Sequence, residues 1–149
     1  AIGLSALAGS CALATPLPRV DTTAPGKPDD AVVLVLTHIV VDGDRREQFD
    51  RQTRRVIDRM TTQPGLIGYS ARRELFGNEA WTMSVWESDA ARARFVRSAV
   101  HQEAIAKSRS AIVTIRLKRL SMARKDVPRD WPGALELLAR PDDVRVYNQ

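Results

Sequence analysis

A chain of 149 residues, 44% hydrophobic and 28% charged, has the balance of one folded domain with tails and is long enough to bury a core without staples. Its single cysteine, Cys11, excludes an internal disulfide. The net charge of +5 does not point to nucleic acid. The arginines are interleaved with acids, as in Asp44-Arg45-Arg46-Glu47 and Asp58-Arg59, and no nucleic-acid motif accompanies them.

Residues 1–14 (AIGLSALAGSCALA) carry no charge and are rich in small apolar side chains, the pattern of the apolar and cleavage regions of an export signal. Ala12-Leu13-Ala14 has the small-x-small form that a signal peptidase cuts. Ala8-Gly9-Ser10-Cys11 resembles a lipobox, which would make Cys11 a lipidated residue. The stretch is too short to span a bilayer, which takes about 20 apolar residues. An exported or envelope-associated protein is therefore expected, with a membrane or a membrane complex as partner of this segment. The alternative is a cytoplasmic protein with a docked arm. Residues 15–30 hold four prolines and a glycine, which forbid regular structure and make a linker.

The folded domain is expected at residues 31–122. Residues 31–41 (AVVLVLTHIVV) are β-branched and apolar on both faces, so they predict a strand covered on both sides. Asp42-Gly43-Asp44 makes a turn, with Asp44 placed to cap a first helix at 45–61. Phe49, Thr53, Val56, Ile57 and Met60 form that helix's apolar stripe, and Gln63-Pro64-Gly65 ends it. A hairpin follows, with strands at 66–75 and 79–86 joined at Gly77-Asn78. Ser88 caps a second helix over 89–108, with a break near His101, and residues 111–122 make the last strand.

This order, β-α-β-β-α-β, predicts an α+β ferredoxin-like fold: a four-stranded antiparallel sheet with two helices on one face. The other face would be bare in a monomer, and strand one is too apolar to leave it so. Pairing two sheets face to face as a homodimer closes a dimeric α+β barrel. Residues 123–149 form a C-terminal tail with a short helix within 128–138, in which Trp131 is placed to anchor the tail.

Several pieces resemble the antibiotic biosynthesis monooxygenase family of the dimeric α+β barrel superfamily. They are Val35-Leu36-Thr37-His38-Ile39, then Gln63-Pro64-Gly65-Leu66-Ile67-Gly68-Tyr69, then Trp81-Thr82-Met83-Ser84-Val85-Trp86-Glu87-Ser88, and Phe95-Val96-Arg97-Ser98 with His101-Gln102. The likeness covers about 90 residues. It implies the fold, and an activity among cofactor-free oxygenases of aromatics, haem-degrading enzymes, small-aldehyde or quinone enzymes, or no activity at all. Haem degradation would call for an Asn on strand one, a Trp in helix two and a ligating His a turn later. This chain has Thr37 and His38 on strand one, Phe95 in helix two, and Ile105 where the histidine would stand.

A cofactor-free oxygenase needs a base, an aromatic wall and a donor for developing negative charge. An imidazole can serve as a base, so His38 is a candidate base, as is His101; the plainer readings are a hydrogen-bonded core or interface histidine and a helix-capping or packing one. Thr37, Tyr69, Arg72, Ser84, Trp81 and Trp86 are candidate substrate contacts; the plainer reading makes Trp81 and Trp86 core residues and Arg72 part of a solvated face. No cofactor is expected, and two histidines without Cys or carboxylate at ligand spacing offer no metal site. Two functions follow. One is a cofactor-independent monooxygenase of a small aromatic or quinone-type compound. The other is a non-catalytic accessory or structural subunit of an envelope complex. Alternation on strand one sends His38 and Thr37 to opposite faces, so only one of them can line a site.

Overall fold

The computed structural model describes residues 12–15, 26–142 and 144–148. Cys11 and nearly all of the signal-like stretch lie outside them. Six strands form one antiparallel sheet: β1 (Ala12–Ala14), β2 (Ala31–Val41), β3 (Leu66–Glu74), β4 (Glu79–Trp86), β5 (Ile112–Ala123) and β6 (Val144–Asn148). The spatial order is β1-β3-β4-β2-β5-β6. The inner four strands are the ferredoxin-like set. The terminal strands β1 and β6 cover both edges, so the sheet has six strands where four were expected. Short strands of this kind blunt the open edge of a sheet.

Helices α1 (Arg46–Met60), α2 (Asp89–Val96) and α3 (Ala99–Ser108) follow the expected order. Asp44 does not cap α1. Asp42 instead accepts a bond from the Asp44 amide at 3.1 Å and starts a single tight turn ahead of the helix. The second helix breaks at Arg97-Ser98, a few residues before His101, because Ser98 begins a new helix by accepting from the His101 amide. Gly65 ends the α1 loop with φ +86, and a Cβ there would stand 2.6 Å from the Ala91 Cβ, so the turn requires glycine. The β3–β4 connection takes four residues, Leu75, Phe76, Gly77 and Asn78, where the expected strand bounds left three.

Side-chain alternation divides β2 cleanly. Val33, Val35, Ile39 and Val41 pack toward α1–α3, in clusters with Phe49, Met60, Trp86 and Phe95. Val32, Leu34 and Leu36 point to the other face.

That other face is not bare. A fourth helix, α4 (Trp131–Ala139), lies across it and buries Trp131, Ala134 and Leu138 against Val32, Leu34, Leu36, Met83 and Val85. Asp130 caps α4 by accepting from the Gly133 amide at 2.8 Å. Lys118, 1% exposed, closes its far end by donating to the carbonyls of Leu137 at 2.9 Å and Arg140 at 3.1 Å. A buried cation there meets the negative end of the helix and satisfies carbonyls that the helix leaves open. The expectation that Trp131 holds the tail to the sheet is met. The premise of a bare apolar face is corrected: the C-terminal helix covers its most apolar half within one chain. No helix among the described residues is long and apolar enough to cross a membrane.

Candidate active site

The sheet separates the expected site residues into two groups. On the helix side, Trp86 is buried, stacks on Phe95 at 5.5 Å between ring centroids, and donates from its indole nitrogen to Ser84 Oγ at 2.9 Å. Tyr69 packs against the same cluster. Thr37 falls on this side by alternation, opposite Thr82 on β4. His101 meets Phe95 edge-on at 5.0 Å. Its Nδ1 is buried without a hydrogen-bond partner, and burial lowers its pKa, opposed in part by the Val96 carbonyl. This layer is aromatic and closed by α1–α3, and it holds a histidine whose charged form burial disfavours.

On the opposite side, just beyond the capped end of α4, one row crosses four strands. Arg72 on β3, Trp81 on β4, His38 on β2 and Arg116 on β5 are successive register partners. His38 and Trp81 stack almost flat, 5.0 Å apart with an interplanar angle of 5°. The Arg72 guanidinium lies over the Trp81 ring, 5.4 Å from its centroid. Trp81 is thus sandwiched by its own chain and offers its edge, not its face. Arg72 is therefore part of the row rather than a solvated arginine. Its neighbour Arg73 points to the other side, where it pairs with Asp50 at 2.7 Å.

Glu79 completes the row. Its carboxylate meets His38 Nε2 at 2.5 Å, with side-chain exposures of 40% and 18%. A carboxylate bound to one imidazole nitrogen fixes the ring's orientation and supports the imidazolium that forms when the other nitrogen takes a proton. Glu79 was missed in the sequence because it is the first residue of β4, and only the β2–β4 register brings it near His38. Its signal is the hairpin: a strand starting at residue 79 and paired antiparallel with β2 places a carboxylate one step from His38.

His38 and His101 do not converge, since the sheet lies between them. A cleft of about 440 Å3 opens at the far end of the sheet, lined by residues including Val32, Val33, Ser88, Asp89 and Arg119, and neither histidine borders it. At its rim, the Arg92 guanidinium holds the Asp89 carboxyl below the usual range by a 2.8 Å hydrogen bond, aided by Arg119. Among the described residues no three His, Cys, Asp or Glu side chains cluster as metal ligands would. Ile105, close to where the haem-degrading pattern would have its histidine, is half-exposed on α3.

Known folds match this arrangement. A Methanosarcina mazei protein superposes with a TM-score of 0.57 at 14% identity, covering 62% of this chain and 94% of its own. A Pseudomonas aeruginosa protein gives 0.56 at 16%, covering 64% and 96%. A Nitrosomonas europaea protein that carries an antibiotic biosynthesis monooxygenase name gives 0.56 at 11%, covering 66% and 92%. The chain spans only 50% of a longer Lactobacillus acidophilus structure that it also matches, with a TM-score of 0.57 at 18% identity. At these identities the likeness is one of fold. No curated protein matches the chain in sequence. A model of the antibiotic biosynthesis monooxygenase family matches residues 32–107, just over half of the chain and the segment from β2 to α3 that carries both candidate histidines; the chain belongs to that family.

Proposed function

We propose that this domain is a cofactor-independent monooxygenase-like enzyme acting on a small electron-rich aromatic or quinone-type compound, with His38 as its base. The observation that carries the reading is the Glu79–His38 pair stacked on Trp81. His38 takes a proton from an acidic C–H of the substrate, and Glu79 supports the charged imidazolium. The resulting carbanion, conjugated into the aromatic system, adds dioxygen to form a carbon-bound hydroperoxide. Loss of water then leaves a carbonyl. The step balances as one methylene group and one dioxygen giving one carbonyl and one water, with no outside reductant. In this reading Arg72, across Trp81 from His38, stabilises negative charge on the ring oxygens as it develops.

A homodimer belongs to this proposal. His38 lies on the half of the sheet face that α4 leaves open, and a second copy laid on that half would exclude water from the row. The test is oxygen uptake by the full chain with hydroxylated diarylmethanes and anthrone-type compounds, which carry the acidic methylene. One dioxygen consumed per carbonyl formed supports the reading; no uptake across that set defeats it.

A specific observation favours a second reading, the non-catalytic accessory subunit of an envelope complex. Trp131, Ala134 and Leu138 fill the apolar half of the face with the chain's own side chains, as an assembly scaffold would. In that reading no oxygen is consumed, and His38→Ala changes stability or assembly alone.

A further inference from the structure

The loop joining β3 and β4 presents apolar side chains that the core does not use. Phe76 is 91% exposed and Leu75 41%, and Leu13 on the adjoining strand β1 is 59% exposed. Single exposed hydrophobic residues are ordinary on a protein surface. These three are not scattered. Leu13 pairs with Arg73, two residues before Leu75, so the group occupies one corner of the sheet. The loop is also held in place: Arg46 on α1 donates to the Glu74 carbonyl at 2.6 Å, and the Asn78 carbonyl accepts from the Val41 amide at 2.8 Å. The phenyl ring is therefore presented on a fixed base.

The chain's own direction adds a second observation. β1 runs antiparallel to β3, and its first residue, Ala12, is the register partner of Glu74. The chain thus enters β1 at the same corner, two residues of β3 away from Phe76. The residues ahead of it, 1–11 (AIGLSALAGSC), contain no charged side chain. An uncharged apolar segment therefore joins the domain at the corner that carries the exposed apolar loop. The nearby charges are mixed: Glu74 and Glu79 flank the loop, with Arg46 bonded to the Glu74 carbonyl and Arg72 and Arg73 paired with β1. That composition does not make a basic patch for anionic lipid or nucleic acid.

We propose that the β3–β4 loop is a lipid-contact site, with Phe76 and Leu75 entering the interface of a bilayer. The partner is a lipid surface recognised by its apolar boundary, not by headgroup charge. The row at His38 lies on the sheet face and reaches this corner through Glu79, the residue that follows the loop. The proposal does not depend on whether that row is catalytic.

The experiment is co-sedimentation of the full chain with phosphatidylcholine vesicles. The comparison is between the native chain, a Phe76→Ser/Leu75→Ser variant, and Ile105→Ser as a control that removes an exposed apolar residue from α3. The loop variant should partition about tenfold more weakly, from the apolar area it no longer buries. Ile105→Ser should leave binding unchanged, and added salt should change it little. Melting temperatures confirm that each variant folds. Phe76→Trp supplies a second reading, since quenching of its emission by brominated lipid places that side chain in the interface. Three results overturn the proposal: no partitioning of the native chain, equal partitioning of native chain and loop variant, or Phe76-dependent self-association without vesicle binding.

Discussion

His101 and His38 are the two histidines of the chain, and the sheet places them in opposite circumstances. His101 is desolvated against Phe95, and its folded pKa lies below the ordinary value. The sign of the pH effect follows. An unfolded histidine takes a proton near pH 6.5, whereas the native one resists it, so stability is full above that pH and falls as pH drops through the folded pKa. Urea titrations between neutral and mildly acidic pH should show this loss in the native chain and a smaller loss in His101→Phe. An identical pH slope in the two would place His101 in water. His38 shows how much of the site alternation alone could supply. Period-two patterning sends it away from Thr37, and the structure finds it on the face opposite α1–α3. Its partner Glu79 lies 41 residues away, and only the strand register reveals the pairing.

The elements repeat that division between local and distant information. β2 to β5 start or end within a residue or so of their sequence-predicted bounds, because apolar alternation and turn residues are local signals. The short edge strands β1 and β6 left no such signal: β1 has three residues, and both lie where pairing is decided by the neighbour. The amphipathic pattern of α4 was legible, but not which surface it would cover. Its docking has two supports that can be removed separately. Trp131→Ala should cost about 3–5 kcal/mol, the range for losing a large buried aromatic. Trp131→Phe should cost much less, since the indole N–H finds no acceptor among the described residues. Lys118→Met keeps the volume yet leaves the carbonyls of Leu137 and Arg140 unbonded. It should cost roughly 1.5–3 kcal/mol, the scale of a hydrogen bond to a charged group. Thermal unfolding of the three variants checks the order, and a harmless Lys118→Met would mean that the cap contributes no net stability.

At the scale of the whole molecule, α4 changes where a second copy can sit. Leu34, Leu36 and Met83 are already buried in one chain, so the proposed dimer has left to it, on this face, the open half that carries Trp81, His38, Arg116 and the exposed Val146 of β6. Sedimentation should show a dimer at micromolar concentration that Val146→Asp weakens by placing a charge in the interface. A stable native monomer would leave the row open to water and count against oxygen chemistry there. The most direct measurement compares oxygen uptake by the native chain, His38→Gln and His101→Phe on one active substrate. The proposed base predicts a kcat loss of about 10²–10⁴-fold in His38→Gln, the range for general base catalysis, with His101→Phe close to native. Full activity in His38→Gln, or loss in His101→Phe alone, would contradict it and move the chemistry to the helix side of the sheet.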